Sequence, residues 1–421
     1  MDISVSYNRL CGQINAPASK SDVHRALICA ALADKKSRVS FNAYSQDIDA
    51  TISCLESLGA KINKDSFGAE VDPITNIRKS CVLDCGESGS TLRFLLPVAA
   101  ALGSDAAFTG RGRLFSRPLE PLVTLMKEHG VTFEKDSEFP VKISGRMSGG
   151  DFEIPGNISS QFISGLLFAL PLCGGGKIKI IPPVESKKYI DMTVNTLKKF
   201  GVDVSENYNI YTVPSKKYSP ENFNYDADGD WSNSAFFLCS AAVSGEVTIR
   251  SVKQNSLQGD KKIAEILSLF GADVRIENDS ITVKSDTLHG IEIDASQIPD
   301  LVPVLAATAA FADGKTKIYN ASRLRIKESD RLFAVRKSLT DIGADVTELD
   351  DGLIINGRHG ASYSGTADGF NDHRIVMSLA TASANSGKII INGCEAVNKS
   401  YPEFFKDFNL LGGNTDVLHV R

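Results

Sequence analysis

Ile342-Gly343-Ala344-Asp345-Val346 is one copy of a stretch of sequence that occurs, with small changes, six times along this chain. In each copy a helix-like run ends at a glycine, and a short alternating run follows. The six glycines are Gly59, Gly130, Gly201, Gly271, Gly343 and Gly412. They are 71, 71, 70, 72 and 69 residues apart, so the 421 residues divide into six near-equal units. A period of this kind predicts a repeat architecture.

Each unit also contains a helix of small and apolar residues that begins at a polar or turn-forming position. The six helices are Ser21–Asp34, Ser90–Gly103, Ser160–Gly174, Ser232–Gly245, Pro299–Gly314 and Asp372–Gly387. They are apolar nearly all round, which is typical of buried helices. A second, amphipathic helix ends at the repeated glycine, where a left-handed cap suits a residue without a Cβ atom. Alternating runs such as Lys177–Ile181 and Val202–Val204 are typical of half-buried strands.

Each unit is therefore predicted to run strand, buried helix, strand, exposed helix and paired strands. This is an α/β fold with layered α+β character, in which sheets lie outside the buried helices. The polar stretch Val213–Asp230 is rich in Pro, Asn and Asp and resembles a linker. Three units on each side of it predict two similar domains.

Composition limits the classes of function. The net charge of −5 argues against broad affinity for nucleic acid or anionic membranes. The start of the chain has no basic and apolar signal pattern, and no apolar run approaches the roughly 20 residues of a membrane span. The eight cysteines are scattered; only Cys81 and Cys85 are close in sequence, and no histidine accompanies these two at metal-ligand spacing. We therefore expect a cytoplasmic protein with reduced thiols and no metal site.

Cations recur near the starts of the buried helices. Lys20, Arg25, Arg93 and the pair His373-Arg374 lie at or near a first turn, where the helix dipole disfavours positive charge by roughly 0.3–1 kcal/mol. A bound anion would compensate this cost, because helix N-termini and guanidinium groups bind the same phosphate or carboxylate. The alternative is that each arginine pairs with a nearby surface carboxylate.

Four further segments allow two interpretations each. Arg323–Arg331 is either a solvated, self-paired loop or a substrate clamp that holds a carboxylate among cations. Asp300 is either an N-cap or a functional carboxylate. Gly86–Ser90 resembles a glycine-rich anion turn but lacks the lysine of a P-loop. Ser159–Gln161 could cap a helix or contact phosphate.

Several segments together resemble one family over the whole chain. In order they are Ala18-Ser19-Lys20-Ser21 with Arg25, Gly86 and Gly89 with Arg93, Ser116-Arg117-Pro118-Leu119, Ser159-Ser160-Gln161-Phe162, Ser186 with Tyr189-Ile190-Asp191, Arg325 with Lys327-Glu328-Ser329-Asp330-Arg331, and Asn371-Asp372-His373-Arg374. They are similar to segments of the 5-enolpyruvylshikimate-3-phosphate synthase (3-phosphoshikimate 1-carboxyvinyltransferase) family of enolpyruvyl transferases.

The resemblance implies two domains, each of three βαβαββ units. Residues 1–15 with 229–421 would form one domain and residues 16–228 the other, with hinge crossings near 15–19 and 225–230. The implied reaction transfers the enolpyruvyl group of phosphoenolpyruvate to the 5-hydroxyl of shikimate 3-phosphate through a tetrahedral intermediate. It belongs to aromatic amino acid biosynthesis. We expect a monomer that closes around its two small-molecule substrates, with no cofactor, metal, nucleic acid or membrane partner.

The resemblance also implies roles for individual residues. The catalytic candidates are Asp300 as base for the 5-hydroxyl, and Glu328 and Lys20 for proton transfer at the methylene carbon. Those implied to bind shikimate 3-phosphate are Lys20, Ser21, Arg25, Ser159, Ser160, Gln161, Ser186, Asp300, Arg323 and Lys327. Those implied to bind phosphoenolpyruvate are Lys20, Gly89, Arg117, Gln161, Arg331, Arg374 and Lys399.

Two departures from the family pattern concern individual contacts. Familiar members have Gly-Asn-Ala-Gly-Thr where this chain has Gly86–Ser90, and Asn where it has Arg323. These put glyphosate sensitivity and one phosphate contact in doubt, but not the reaction.

Two rival functions remain. The sister UDP-N-acetylglucosamine enolpyruvyltransferases usually carry a Cys before Arg-Pro, and Gly110–Ser116 has none. Lys20 is also followed by Ser rather than Asn. The other rival is a non-catalytic, anion-binding repeat protein, which the presence of Asp300, Glu328 and Lys20 together disfavours.

Overall fold

The computed structural model describes residues 1–134, 139–385 and 388–419, without the side chain of His419. The predicted helix Asp372–Gly387 therefore has its last two residues outside the described residues. The chain forms two compact units, which we call unit 1 (Met1–Ser19 with Asp228–Arg421) and unit 2 (Lys20–Ala227). That the two units move as domains about a hinge stays a prediction.

Helices of two kinds alternate along both units. The α-helices are α1 (Lys20–Leu32), α2 (Gln46–Leu58), α3 (Gly89–Leu102), α4 (Leu122–Glu128), α5 (Ser160–Ala169), α6 (Lys187–Lys199), α7 (Trp231–Val243), α8 (Ile263–Phe270), α9 (Val302–Ala309), α10 (Arg331–Asp341), α11 (His373–Ala382) and α12 (Phe404–Leu410). The odd-numbered ones from α1 to α11 are the predicted small-residue helices, with α9 preceded by the 3-10 turn Pro299–Leu301.

Short strands flank these helices. Those up to Asp226 are β1 (Asp2–Ser6), β2 (Leu10–Asn15), β3 (Ser37–Ser40), β4 (Lys61–Asp65), β5 (Gly68–Asp72), β6 (Ser80–Asp84), β7 (Asp105–Thr109), β8 (Val131–Phe133), β9 (Val141–Gly145), β10 (Gly150–Pro155), β11 (Gly176–Ile181), β12 (Ser205–Asn207), β13 (Ile210–Val213) and β14 (Asn224–Asp226). The later ones are β15 (Gly245–Arg250), β16 (Asp273–Glu277), β17 (Ser280–Lys284), β18 (Glu292–Asp294), β19 (Gly314–Tyr319), β20 (Asp345–Leu349), β21 (Gly352–Gly357), β22 (Gly365–Asp368), β23 (Ile389–Asn392) and β24 (Asn414–His419).

The described strands form six four-stranded sheets with one shared topology. In the sheet β10-β11-β13-β12, β10 and β11 are parallel across helix α5, while β13 is antiparallel to both β11 and β12. The other sheets repeat this order as β14-β3-β5-β4, β6-β7-β9-β8, β2-β15-β17-β16, β18-β19-β21-β20 and β22-β23-β1-β24. The predicted βαβαββ unit and the α/β fold class are therefore confirmed.

Three strands complete sheets that lie far from them in sequence. The N-terminal strands β1 and β2 pair with β23 and β15, both in unit 1. Strand β14 pairs in parallel with β3 and so supplies the first strand of the first repeat of unit 2. The linker prediction for Val213–Asp230 is wrong in this part, because Tyr218 and Tyr225 bury their rings and anchor the stretch to unit 2.

The repeated glycines end their helices as predicted. All six have positive φ, between 80° and 122°, which L-residues with a Cβ atom rarely adopt. In five copies the next residue donates its N–H to a carbonyl five residues earlier, as Val202 does to Leu197. This bond removes Val202 from sheet pairing. The strand predicted at Val202–Val204 therefore begins only at Ser205.

The six small-residue helices are buried on nearly every side. In unit 1, helices α7, α9 and α11 pack against one another, and in unit 2 helix α3 packs against α5. Strands such as β11 alternate buried and exposed residues, so one face of the sheet is exposed to solvent. This layering places the N-terminal turns of the buried helices, and the charged residues beside them, at the ends of each unit's core.

Candidate active site

A buried cluster of one arginine and three carboxylates lies in unit 1. Arg331, the first residue of α10, is 1% exposed. Its Nη1 donates to Asp300 Oδ1 at 2.8 Å, its Nη2 to Glu328 Oε2 at 2.7 Å, and its Nε to Asp372 Oδ2 at 2.8 Å. Burial lowers the pKa of Arg331, but the three carboxylates outweigh it and raise that pKa above its usual range. The guanidinium thus fixes three acidic side chains.

Asp372 holds this arrangement to helix α11. It caps the helix by accepting from the N–H of Arg374 at 3.0 Å, and it also accepts from Ser329 Oγ at 2.9 Å. It is fully buried. From the sequence, Asp372 is placed at the start of the helix Asp372–Gly387, where N-capping explains it, and it has no assigned part in the site. Its position at the start of an apolar helix, inside a strongly ionic segment, was the available sign.

Asp300 lies in the 3-10 turn that precedes α9, where Ile298 takes the capping position. The N-cap interpretation of Asp300 is therefore wrong. Its carboxylate lies 3.4 Å from Arg374 Nη2 and 3.6 Å from Lys327 Nζ, in addition to Arg331. Burial raises its pKa, but Arg374, Lys327 and Arg331 outweigh burial and lower the pKa well below its usual range. Asp300 is therefore ionised and held among three cations.

Lys327 and Lys399 lie beside this cluster. Burial lowers the pKa of Lys327 to about 8, helped by the charges of Arg323 and Arg331 and opposed by Asp300. Lys399 Nζ donates to the carbonyl oxygen of Asn371 at 2.6 Å. Asn371 has φ of 51°, a left-handed conformation that is strained for a residue with a side chain. Lys399 thus stabilises the turn that leads into Asp372.

Asp260 is another buried carboxyl of unit 1, and it was not predicted from the sequence. Asp260 is 1% exposed and accepts a hydrogen bond from Ser232 Oγ in the first turn of α7. Burial and the charge of Asp300 raise the pKa of Asp260 to about 6, although Arg374 opposes them. Asp260 therefore belongs to the same electrostatic group as Asp300. Its position beside the start of a repeat helix was visible only once the fold was known.

Unit 2 holds the other predicted residues. Lys20 begins α1, and its Nζ donates to Asp47 Oδ2 in the first turn of α2 at 2.7 Å. Both side chains are mostly buried, with exposed fractions of 15% and 13%. Asp47 is a further residue that the sequence analysis missed. The pair joins the starts of two neighbouring helices.

Arg25, in the second turn of α1, is buried among neutral acceptors. Its Nε donates to Thr193 Oγ1 at 2.8 Å, its Nη1 to the Ser21 carbonyl at 2.6 Å, and its Nη2 to the Tyr189 carbonyl at 2.9 Å. Burial lowers the pKa of Arg25 to about 10, so the guanidinium stays charged at neutral pH.

The glycine turn before α3 brings two guanidinium groups close to the backbone. Ser88 caps the helix by accepting from the N–H of Thr91 at 3.2 Å. A Cβ atom on Gly89 would lie 2.5 Å from Arg117 Nη1 and 2.7 Å from Arg93 Nη1, so only glycine fits there without displacing them. The predicted anion turn thus has two cations against its first helical residue.

The predicted serines and Gln161 occupy helix starts in unit 2. Ser159 caps α5 by accepting from the N–H of Gln161 at 3.3 Å, and Ser160 is buried beside it. Gln161 Nε2 donates to Ser90 Oγ at 2.9 Å, which connects α5 to α3. Ser186 precedes α6 with a left-handed φ of 53° and is 1% exposed. The capping interpretation of Ser159 is correct, and contact with phosphate stays a prediction.

Comparison with known proteins gives the family. Residues 6–408 match the family model described as EPSP synthase (3-phosphoshikimate 1-carboxyvinyltransferase). The chain belongs to the EPSP synthase family. Its sequence is 43% identical over 429 residues to a 3-phosphoshikimate 1-carboxyvinyltransferase of Clostridium novyi (strain NT), with 99% of this chain and 98% of that protein covered. Identity to the protein of the same name from Clostridium kluyveri is 42% over 423 residues, covering 99% of both.

Solved structures agree with the membership in the EPSP synthase family. EPSP synthase from Acinetobacter baumannii has a TM-score of 0.83 at 27% identity, with 99% of this chain and 100% of that chain covered. The enolpyruvyl transferase NikO from Streptomyces tendae shares the fold, with a TM-score of 0.76 at 17% identity over 99% of this chain and 98% of that one. The family predicted from the sequence motifs is confirmed.

Among residues 1–134, 139–385 and 388–419, no three His, Cys, Asp or Glu side chains are placed to hold a metal ion. No helix in the same part of the chain has the length and apolar character that crossing a membrane requires.

Proposed function

We propose that this protein transfers the enolpyruvyl group of phosphoenolpyruvate to the 5-hydroxyl of shikimate 3-phosphate and releases phosphate. The observation that carries the proposal is the buried cluster around Asp300, in a chain that matches the EPSP synthase family over nearly its whole length. A carboxylate held among fixed cations is what a reaction between two phosphorylated carboxylic acids requires, because the substrates repel each other and the reacting hydroxyl must be oriented.

The cations of unit 2 support the assignment of anionic substrates. The buried guanidinium of Arg25 donates its hydrogen bonds to the neutral oxygens of Thr193, Ser21 and Tyr189, and a bound phosphate or carboxylate would compensate its charge. We assign shikimate 3-phosphate to Arg25 with Ser21, Ser159, Ser160, Gln161 and Ser186. In unit 1 we assign Asp300, Arg323 and Lys327 to the same substrate.

Phosphoenolpyruvate is assigned to a second set of residues. The backbone of Gly89 and the guanidinium of Arg117 lie against each other and suit one anionic group. We assign Lys20 and Gln161 in unit 2, and Arg331, Arg374 and Lys399 in unit 1, to this substrate as well. The guanidinium of Arg331 already serves three carboxylates, so its part is to hold Asp300 and Glu328 in place as well as to add positive charge.

The reaction is an addition followed by an elimination. In the addition, the 5-hydroxyl oxygen bonds to C2 of phosphoenolpyruvate, its proton leaves to a base, and C3 gains a proton to become a methyl group. In the elimination, C3 loses a proton, the double bond re-forms, and the C2–O bond to phosphate breaks. We assign Asp300 as the base that accepts the proton of the hydroxyl. We assign Glu328 and Lys20 to donate a proton to C3 in the addition and to remove one in the elimination.

The electrostatics of the cluster divide the work between Asp300 and Lys327. Asp300 is ionised and oriented by Arg331, so it accepts the hydrogen bond of the hydroxyl and fixes its direction. A carboxylate of low pKa is a weak base, and the binding of anions by Arg374 and Lys327 would strengthen it by withdrawing their charge. The Nζ of Lys327 lies 3.6 Å from Asp300 Oδ1, and its pKa is about 8. Most of its charge is therefore present at pH 7, and we assign that charge to holding shikimate 3-phosphate.

Phosphate release tests the reaction directly. The protein is supplied with phosphoenolpyruvate and either shikimate 3-phosphate or UDP-N-acetylglucosamine, and inorganic phosphate is measured over time. We expect release with the shikimate ester alone. Release only with the sugar nucleotide would assign the chain to the sister activity. Release with neither acceptor, from protein whose circular dichroism is that of a folded chain, would favour a non-catalytic anion-binding protein.

Asp300→Asn separates chemistry from folding. The amide keeps the shape of the side chain but removes the base, so kcat should fall by at least about 100-fold, the lower range for general base catalysis. The thermal midpoint should change little, because Arg331 keeps Glu328 and Asp372. A destabilised variant with normal kcat would show that Asp300 serves the fold and not the reaction.

The setting of the reaction is part of the proposal. All eight cysteines are free thiols, which suits the reducing cytoplasm. We place the enzyme there, in aromatic amino acid biosynthesis, and expect it to act as a monomer. Sedimentation equilibrium over a range of concentrations checks the oligomeric state.

A further inference from the structure

A chain of buried hydrogen bonds crosses the interior of unit 2 and takes no part in the roles assigned above. It begins at His24, which is fully buried in α1, and His24 Nδ1 lies 2.7 Å from Thr51 Oγ1 in α2. Thr51 Oγ1 lies 2.7 Å from Thr91 Oγ1 in α3. Thr91 Oγ1 in turn donates to Ser88 Oγ at 2.7 Å. Four side chains from three segments thus form one continuous line.

Counting donors gives the line a direction. Each hydroxyl has one proton, and that of Thr91 goes to Ser88. Thr51 must therefore donate to Thr91, and His24 must donate to Thr51 from Nδ1–H. The imidazole is then neutral with its proton on Nδ1. Among the described residues Nε2 is buried without a hydrogen-bond partner, which suits a nitrogen that carries no proton.

The electrostatics of His24 agree with this tautomer. Burial, followed by the positive charges of Lys20 and Arg25, lowers the pKa of His24 well below its usual range. The ring therefore stays neutral at neutral pH. A protonated ring would place a second buried N–H at Nε2, where no acceptor lies among the described residues.

The line joins the helix starts that carry proposed phosphoenolpyruvate residues. His24 follows Lys20 by one helical turn in α1, and Thr51 follows Asp47, the partner of Lys20, by one turn in α2. At the other end, Ser88 caps α3 and directly precedes Gly89. The two ends of the line therefore fix the two segments that would hold the same substrate.

We infer that His24 is a positioning residue for phosphoenolpyruvate, and that it sets the first turn of α3 through Thr51, Thr91 and the cap Ser88. The inference rests on the proposed function. None of the four side chains need touch the substrate. Their task is to hold the N–H groups of the Gly89 turn, and with them the facing guanidiniums of Arg93 and Arg117, at a constant distance from Lys20.

The Gly89 backbone lies against two guanidiniums, so the position of this turn decides where one anion can meet both. A Cβ atom on Gly89 would lie 2.5 Å from Arg117 Nη1 and 2.7 Å from Arg93 Nη1. A binding site that is about 1 Å too loose loses much of its effect. Hydroxyl and imidazole hydrogen bonds near 2.7 Å restrain the three helices more sharply than apolar packing, because they depend on direction as well as on distance.

Matched threonine variants test the inference. Thr51→Val keeps the shape of the side chain and removes the hydroxyl, whereas Thr51→Ser keeps the hydroxyl. Thr308→Val is the control for loss of a buried hydroxyl, because Thr308 lies in unit 1, where its hydroxyl donates to the Val304 carbonyl and also meets Cys239 of α7. The KM for each substrate, kcat and the thermal midpoint are measured for all three.

We expect Thr51→Val to raise the KM for phosphoenolpyruvate about three- to tenfold, the effect of one hydrogen bond, with a much smaller rise for shikimate 3-phosphate. Thr51→Ser should keep both KM values near those of wild type, because it keeps the hydroxyl. Thr308→Val should leave both KM values unchanged. Equal rises for both substrates, or no rise in Thr51→Val, would overturn the inference. If the wild type shows no turnover, the proposed function fails and the inference falls with it.

A double-mutant cycle adds a second readout that does not depend on one variant folding perfectly. His24→Leu, Thr51→Val and the combined variant are compared by the KM for phosphoenolpyruvate. Because both residues act through the same line, the combined variant should be no worse than the worse single variant by more than about twofold. If the fold-increases in KM of the two single variants multiply in the combined variant, the two residues act independently. The hydrogen-bonded line would then not act as one unit.

Discussion

Two buried arginines, one in each unit, are held in opposite ways. Arg331 in unit 1 gives its hydrogen bonds to three carboxylates, of Asp300, Glu328 and Asp372. Arg25 in unit 2 gives its hydrogen bonds to one hydroxyl and two carbonyls, and stacks over the ring of Phe94 at 5.1 Å. No carboxylate among the described residues forms an ion pair with Arg25, although Asp22 on the same helix adds some attraction.

The contrast separates structural charge from charge kept for a ligand. A buried cation with three carboxylates stabilises their arrangement and has its charge more than balanced. A buried cation with neutral partners is costly, and a bound anion would lower that cost. Arg331 is thus expected to matter for the fold of unit 1 and the orientation of Asp300 in addition to its assigned part in binding phosphoenolpyruvate, whereas Arg25 is expected to matter chiefly for binding shikimate 3-phosphate.

Replacing Arg331 has the largest expected effect. Arg331→Gln removes the cation that pairs with three buried carboxylates and leaves their negative charges less compensated. Unit 1 should therefore lose about 3–5 kcal/mol of unfolding free energy. Phosphate release should fall below detection. The single tryptophan, Trp231, lies buried in unit 1, so its fluorescence during urea unfolding reports the loss. Arg325→Gln is the matched control: its ion pairs with Asp330 and Glu348 are 22% to 32% exposed and it also donates to two backbone carbonyls, so a smaller loss of about 1–2 kcal/mol is expected.

Replacing Arg25 comes next and tests the other half of the comparison. Arg25→Gln should raise the KM for shikimate 3-phosphate about 10- to 100-fold, since hydrogen bonds to charged groups contribute about 1.5–3 kcal/mol. Unfolding of unit 2, followed by circular dichroism, should change little, because a costly buried charge is removed with its bonds. Arg25→Lys keeps the charge and should give a smaller rise. A loss of stability as large as that of Arg331→Gln, with an unchanged KM, would erase the distinction between the two arginines.

The repeat could be predicted from sequence because its causes are local. Glycine at a helix end and an apolar composition all round a helix act within one turn, so the caps at Gly59 and Gly271 and the burial of α7 followed directly. The motif residues Lys327, Glu328 and Arg331 are neighbours in sequence, and the resemblance assigned them together. These are the parts of the fold and site for which nearby residues suffice.

The partners of the charged residues could not be predicted in this way. Lys20 meets Asp47 across 27 residues, Ser232 meets Asp260 across 28, and Arg331 meets Asp372 across 41. Each pair depends on how two helix starts pack, which the 70-residue period does not specify. Strand β14 was missed for the same reason. Its partner strand β3 lies about 185 residues earlier in the chain. The Pro-rich and Asn-rich sequence around β14 also favours a loop.

Asp260 offers a smaller test of how charge is balanced in unit 1. Its pKa in the folded protein, about 6, lies above the value near 4 of an unfolded chain. Between these values the folded state binds more protons than the unfolded one, so this group makes the protein less stable as pH rises from 4 to 6. The contribution lost is on the order of 3 kcal/mol, since one pKa unit corresponds to about 1.4 kcal/mol.

Asp260→Asn should remove that dependence. The amide can still accept from Ser232, so the variant should gain stability relative to wild type as pH rises from about 4.5 to 7.5. Urea midpoints read from Trp231 fluorescence at the two pH values measure the difference. Asp203→Asn, at an exposed carboxylate of unit 2, is the control and should show no such gain. If the urea midpoints of Asp260→Asn and wild type differ by the same amount at both pH values, Asp260 is ionised at both. The cations of unit 1 would then compensate the negative charge of Asp260.

Lys327 gives the subtlest test, because activity and stability should respond to pH in opposite directions. Its pKa of about 8 in the folded protein lies below the unfolded value of about 10.4, so the folded state binds fewer protons between them. Stability contributed by this group therefore rises as pH goes from 8 to 10. Activity should fall over the same range, because Lys327 loses the charge that we assign to holding shikimate 3-phosphate.

Lys327→Arg decides whether that charge is the cause. Arginine stays protonated to above pH 12, so the alkaline fall of kcat/KM for shikimate 3-phosphate should move upward by at least about one pH unit. Below pH 8 the variant should be weaker than wild type, since the larger guanidinium cannot take the same place 3.6 Å from Asp300. Lys337→Arg, at a surface lysine paired with Asp341, should leave the profile unchanged. An alkaline fall that stays in place in Lys327→Arg would assign the titration to another group, and Arg323 would then be the unit 1 cation assigned to shikimate 3-phosphate.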